Sequence, residues 1–185
     1  FITSPAAGGD ARGIPQDGLW QIAMTGRSNV GKSTLLNALC RSNVARTSAA
    51  PGKTRLAKVY RVVVEGGGPG RWGLYLVDLP GYGYARGGAD AAEELKAVAQ
   101  AYFARGRAAL LLVDSRHPGL KSDIQAAHWL TAMHVDIRVV ATKIDKLSRT
   151  ERARNLKALE LTFGMAALPV SAASGEGMDT LWKTI

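Results

Sequence analysis

The sequence predicts an α/β domain in three layers: a mostly parallel, six-stranded sheet with one antiparallel edge strand, covered by helices on both faces. Three observations carry this. Short apolar runs alternate with segments of helical period along most of the chain. One pair of strands is joined by Gly66–Gly70, a turn signal too short for a crossover, so those two make a hairpin. Polar, glycine-rich motifs recur just after strands, the edge at which open α/β sheets take ligands.

The elements follow in order. Residues 1–18 hold Gly, Pro, Asp and Ser in quantity and read as an irregular arm, leaving 19–185 as a single domain. Leu19–Thr25 is short and mostly apolar, a buried strand, and Ser33–Cys40 reads as a helix. Arg41–Ala57 carries Ser, Thr, Ala, Pro51 and Gly52 without an apolar period, so it is a long loop of the kind that usually has a function. Tyr60, Val62 and Val64 alternate with Val59, Arg61, Val63 and Glu65, a half-exposed strand, and Trp72–Leu79 returns beside it. Pro80–Gly88 is a glycine-rich loop. Leu95, Val98, Ala99 and Tyr102 then fall on one helical stripe. Ala108–Asp114 is an apolar strand ending in an acid, and Ala126, Trp129, Leu130 and Met133 return to helical spacing. Ile137–Ala141 is a buried strand, Leu156, Leu159 and Phe163 mark a helix, Ala166–Val170 a last short strand and Met178–Ile185 a final helix.

Composition narrows the class. Hydrophobic residues at 46% and charged residues at 21% of 185 exclude a wholly disordered chain. A single cysteine, Cys40, excludes an intramolecular disulfide framework and a paired-cysteine zinc module. The longest purely apolar run, Ala108–Val113, is far below the roughly 20 residues that a membrane span needs. No stretch has the pattern of a secretory signal. The net charge of +9 favours a polyanionic partner, nucleic acid ahead of a membrane; a merely basic surface is the plain alternative.

Gly26-Arg27-Ser28-Asn29-Val30-Gly31-Lys32-Ser33 has the Gly-x-x-x-x-Gly-Lys-Ser/Thr spacing between a strand and a helix. Glycines there let the backbone wrap phosphate oxygens, and the helix start adds positive charge. Lys32 is expected to reach the β- and γ-phosphates and the Ser33 hydroxyl to ligate Mg²⁺. The phosphate-binding set is Gly26, Arg27, Ser28, Asn29, Val30, Gly31, Lys32, Ser33 and Thr34, with Gly52, Thr54 and Gly81. Thr142-Lys143-Ile144-Asp145 follows a strand, where a carboxylate can accept both donors of a guanine edge. The plain alternative makes Asp145 a helix cap. Lys143 would lie along the base and Ser171-Ala172 would bring a backbone N–H to the guanine O6, so the expected guanine-binding set is Thr142, Lys143, Asp145, Lys146, Ser171 and Ala172. Asp78 ends the hairpin's second strand and would hold Mg²⁺ through water. Gly81 would offer its N–H to the γ-phosphate, and Thr54 would complete the metal shell in a loop ordered by the triphosphate. The alternative for Thr54 is a loop hydroxyl with no metal role.

In this order the motifs resemble the Ras-like P-loop GTPases, and in detail the EngB branch of ribosome-biogenesis GTPases. The resemblance rests on residues 26–33, Pro51–Thr54, Asp78–Ala85, Asp114–Pro118, Trp129-Leu130 and Thr142–Lys146, and covers roughly 19–182. It implies a single, monomeric, cytoplasmic G domain that binds GTP and GDP with Mg²⁺ and assists assembly of the large ribosomal subunit, with rRNA as partner and no membrane. Lys32, Thr54, Gly81 and Asn29 are then the expected catalytic group. Where many of these proteins place a water-orienting Gln, this chain has Tyr82, so hydrolysis should be slow. A GTP-dependent recruitment module that does not hydrolyse efficiently is the second reading. Asn29 implies a K⁺ ion against the phosphates; otherwise it only bonds the loop backbone. Arg41, Arg46, Lys53, Arg55, Lys58 and Arg61 cluster in and beside the long loop, where bound rRNA would feel the nucleotide state. Arg149, Arg152, Arg154 and Lys157 read as a solvated helix face.

Overall fold

The computed structural model describes residues 3–5, 15, 17–45, 57–65, 70–82, 97, 99, 100, 102, 103 and 108–185. The strands are β1 (Thr3–Pro5), β2 (Trp20–Gly26), β3 (Lys58–Glu65), β4 (Arg71–Asp78), β5 (Ala108–Asp114), β6 (Asp136–Thr142) and β7 (Leu168–Pro169). The helices are α1 (Lys32–Cys40), α2 (Lys121–Ala132), α3 (Arg149–Phe163) and α4 (Met178–Thr184). Ala99 and Tyr102 of the expected stripe are helical, whereas Leu95 and Val98 lie outside the described residues.

One sheet runs in the order β1-β3-β4-β2-β5-β6-β7. β2, β4, β5, β6 and β7 are parallel, and β3 is antiparallel to β4. That is the predicted fold class, extended by one strand. The arm expected to be irregular supplies it: Thr3–Pro5 pairs antiparallel to β3, with Thr3 opposite Tyr60 and Pro5 opposite Lys58. β3 is therefore not the edge. Three residues carry no readable period, and a proline is tolerated there because an outer strand need not donate on both sides.

The alternation of side chains sets the layers. Along β5, Leu110 and Leu112 enter one core with Met24, Leu35, Leu36, Leu76 and Leu181, the face covered by α1 and α4. Leu111 and Val113 enter the other with Ala23, Val77, Tyr102, Leu130, Val139 and Leu159, the face covered by α2 and α3. β5 is buried on both faces, as a central parallel strand must be.

α1 ends where Arg41 turns left-handed at φ 48°. Asn37 fixes the chain that follows: its Oδ1 accepts from Val44 N at 2.9 Å and Ala45 N at 2.7 Å, and its Nδ2 donates to Ala45 O at 2.8 Å. Cys40, in the last turn, is half-buried, and that burial pushes its thiol up to about 11.

Candidate nucleotide-binding site

The site begins where β2 ends. Gly26 must be glycine: a Cβ there would stand 2.8 Å from Leu112 O and 2.9 Å from Val30 Cγ1. The chain turns over β5, with Val30 N donating to Arg27 O at 3.2 Å, and enters α1 through Gly31 at φ 104°. No side chain caps α1 and no acid lies in its first turn, so its partial positive charge faces the loop. Val30 is buried, and only its backbone can serve a ligand. Ser28 and Ser33 are half-buried, while Asn29 and Thr34 are exposed.

Lys32 and Asp78 meet beneath the loop. Lys32 Nζ lies 2.6 Å from Asp78 Oδ1, and both side chains are largely withdrawn from water. Gly81 packs on the loop backbone: a Cβ would stand 3.1 Å from Ser28 N and 3.2 Å from Gly26 O. Its neighbour Tyr82 bridges to the loop, its N–H donating to Gly26 O at 3.3 Å and its carbonyl accepting from Ser28 N at 3.1 Å. The Ser33 hydroxyl and the Asp78 carboxylate are hard oxygen donors of the kind Mg²⁺ takes. Among the described residues no cluster of three or more His, Cys, Asp or Glu is placed to hold a metal ion. Gly52 and Thr54 lie outside the described residues.

The far side of the site comes from β5, β6 and β7. Thr142 Oγ1 donates to Val30 O at 2.7 Å and stands 3.1 Å from Val113 O, tying β6 to the loop. Lys143, left-handed at φ 61°, donates from Nζ to Asn29 O at 2.6 Å and to Asp114 Oδ2 at 3.0 Å. Arg116 grips the same carboxylate through Nε at 2.9 Å and Nη2 at 2.8 Å. Burial would push the Asp114 carboxyl up, but the hydrogen bonds from Arg116 and Lys143 outweigh it and hold it well below the ordinary carboxylate range.

Asp145 lies in the 3-10 turn Ile144–Lys146. Its Oδ1 accepts from Ser171 Oγ at 2.8 Å and its Oδ2 pairs with Lys146 Nζ at 3.2 Å. The Ser171 hydrogen bond, followed by the Lys146 contact, lowers its carboxyl, so it is an anion at neutral pH. The helix-cap alternative fails, because α3 is capped by Ser148 in a reciprocal box with Glu151. Ser171 N–H donates to Glu176 O at 2.9 Å, which leaves the Ala172 amide as the candidate for O6.

Two carboxylates of this region carry no assignment from the sequence. Asp114 ends an apolar strand, a signal that names an acid without naming its partners. Asp123 is buried under Tyr82 and Arg27, and nothing local in the sequence marks it. Of the basic cluster, Arg41 and Arg61 are exposed and Lys58 is half-buried, whereas Arg46, Lys53 and Arg55 lie outside the described residues. On α3, Arg149, Arg154 and Lys157 are exposed and Arg152 pairs with Glu176 at 2.6 Å.

The profile of a family described as 50S ribosome-binding GTPase matches residues 21–143. A probable GTP-binding protein EngB from Chlorobaculum tepidum is 42% identical over 179 residues, spanning 94% of this chain and 89% of that protein. Among solved structures, an Aquifex aeolicus Era variant bound to GDP.AlF4- superposes with a TM-score of 0.77 at 22% identity, over 90% of this chain and 55% of the other. A probable GTP-binding protein engB superposes with a TM-score of 0.64 at 23% identity, over 88% and 95%.

Proposed function

We propose, from the premise that this chain belongs to the EngB proteins of the 50S ribosome-binding GTPase family, that it is a slow GTP-hydrolysing switch acting in assembly of the large ribosomal subunit. The observation that carries the reading is the convergence of two motifs on one sheet edge, made by Lys143 Nζ on the Asn29 carbonyl. It brings the turn that carries the Asp145 anion beside the glycine-rich loop of residues 26–33, which supports one nucleotide spanning both.

In this reading Asp145 accepts the guanine N1–H and N2–H donors. Adenine lacks them and forgoes these two charge-assisted hydrogen bonds, a loss of about 2 kcal/mol or more. The stem of Lys143 and the Thr142–Lys146 turn lie along the base, and Ala172 N–H meets O6. The amides of the loop of residues 26–33 that are not engaged within it, with those at the start of α1, hold the phosphates. Lys32 leaves Asp78 for the β- and γ-oxygens, and Gly81 N–H and Thr54 hold the γ-phosphate end. Ser33, Thr54 and, through water, Asp78 would hold Mg²⁺, which neutralises charge on the β- and γ-oxygens. Hydrolysis is attack of water on the γ-phosphorus, breaking its bond to the β–γ bridging oxygen to give GDP and phosphate. Tyr82 supports a slow rate: its phenol is engaged with Asp123 at 3.1 Å, and it lacks the amide that would orient an attacking water. Asn29 would hold K⁺ against the phosphates, and replacing K⁺ by Na⁺ at fixed ionic strength then lowers turnover severalfold; equal rates remove that role.

The large-subunit role is supported by family membership and the basic balance of the chain. Sedimentation with precursor large subunits tests it. Binding should be stronger with a GTP analogue than with GDP and should fall steeply with salt; a flat salt response or no nucleotide preference overturns it. Tyr82 also supports the second reading, a recruitment module that hydrolyses nothing. Single-turnover GTPase assays with and without ribosomal particles separate the two.

A further inference from the structure

Asp123 is a buried carboxylate that the proposed chemistry leaves unused, and it lies directly under the site. It stands in the first turn of α2 and is 1% exposed. Tyr82 Oη donates to its Oδ1 at 3.1 Å, and Arg27 Nε lies 3.5 Å from the same oxygen. Arg27 Nε is itself buried without a hydrogen bond of normal geometry, so the charge of Asp123 is its nearest compensation. A carboxylate this deep is stable only with such partners.

The two residues it holds belong to two parts of the site. Arg27 is in the phosphate loop, and Tyr82 follows Gly81. Their backbones are also joined, through Tyr82 N–H to Gly26 O at 3.3 Å and Ser28 N–H to Tyr82 O at 3.1 Å. A side chain from a third element thus fixes both partners of a backbone bridge. Without it, the bridge has only two hydrogen bonds, and the Tyr82 side chain has no polar anchor beneath it.

We infer that Asp123 is a positioning residue for the triphosphate: by holding the Tyr82 phenol and the Arg27 guanidinium, it sets the Gly81 N–H over the phosphate loop. The inference rests on the GTP reading of the site. GDP has no γ-phosphate for Gly81 to meet, so the effect falls on GTP alone.

The test uses the full chain carrying Asp123→Ala, Tyr82→Phe, or both. Affinities for GDP and for a non-hydrolysable GTP analogue are measured by competition with fluorescent GDP. Each single change should weaken analogue binding by about three- to tenfold, as loss of one buried hydrogen bond does, and move GDP by less than about twofold. The double variant should be no worse than the weaker single one, because the changes break one contact. Amide exchange of nucleotide-free protein supplies a readout that needs no GTP: the Ser28 and Tyr82 amides should exchange faster in each variant while β5 stays protected. Parallel weakening of GDP and analogue, or full additivity, overturns the role. If Asp123→Ala does not fold, Tyr82→Phe, which removes one oxygen, decides alone. If the parent chain binds no guanine nucleotide, the GTP reading falls; unchanged exchange in Tyr82→Phe overturns the Asp123 contact itself.

Discussion

Lys143 Nζ stands 2.6 Å from the Asn29 carbonyl oxygen and 3.0 Å from Asp114 Oδ2, so one ammonium joins the Thr142–Lys146 turn to the loop of residues 26–33 and to the end of β5. Asp114 is its counter-charge and is shared with Arg116. Replacing Asp114 by Asn keeps the shape and removes the charge. Two cations then crowd a neutral amide, and Lys143 loses its anchor. Guanine nucleotide affinity should fall by about tenfold or more, the scale of a charge-assisted hydrogen bond. Titration with labelled GDP checks this, and an unchanged affinity would show that Asn29 alone places the lysine.

The same carboxylate gives the fold an acid limit. Its value lies below the ordinary one in the folded chain, so the unfolded chain binds more protons between the two. The stabilisation is complete above about pH 4 and is lost as the pH falls below it toward the folded value. The melting temperature should therefore drop on acidification below about pH 4, and less steeply in Asp114→Asn. Parallel curves would assign the acid sensitivity to other groups.

The Lys32–Asp78 pair is buried, so cutting it from one side is costly. Lys32→Ala leaves the Asp78 charge without its cation and should destabilise the nucleotide-free chain by about 3 kcal/mol in urea unfolding. Adding Asp78→Asn should restore much of that stability. Phosphate binding should remain lost, because the lysine is the group that neutralises it.

Asp145→Ala removes the acceptor proposed to read guanine. GTP affinity should fall by about 30-fold or more, while ATP, which never used that acceptor, should hardly change. Competition of both nucleotides against labelled GDP measures the ratio, and a preserved preference would place base recognition elsewhere.

Ser148→Ala tests a purely structural assignment. Ser148 Oγ accepts from Glu151 N at 3.3 Å, and Ser148 N donates to Glu151 Oε2 at 2.9 Å. Its loss should cost about 1 kcal/mol of stability with the guanine-to-adenine preference intact.

The motifs legible in the sequence are those whose chemistry is local. Gly31 is demanded by its own φ of 104° and Gly26 in part by Val30, four residues on, so their spacing is visible without the fold, whereas the approach of Leu112 O to Gly26 is not. Thr142–Asp145 is similar, since one turn presents the whole group. What stayed hidden depends on residues far apart in the chain. Asp123 meets Tyr82 and Arg27 only because α2 packs beside the β4 end, and no periodicity in 121–132 distinguishes that acid from a first-turn dipole partner. Taken alone, Asp145 also fits a helix cap, and only the fold shows that Ser148, three residues on, holds that place with Glu151. The strand at Thr3–Pro5 owes its existence to the partner it meets on β3, not to any preference of its own.

Cys40 is the chain's lone thiol, and its burial pushes it up to about 11, so little of the thiolate that alkylation requires forms at neutral pH. The molecule thereby carries its own gauge of opening. A maleimide added to the native chain should label slowly, at a pace set by how often the end of α1 lifts away, and a guanine nucleotide clamped at the other end of that helix should slow the labelling further.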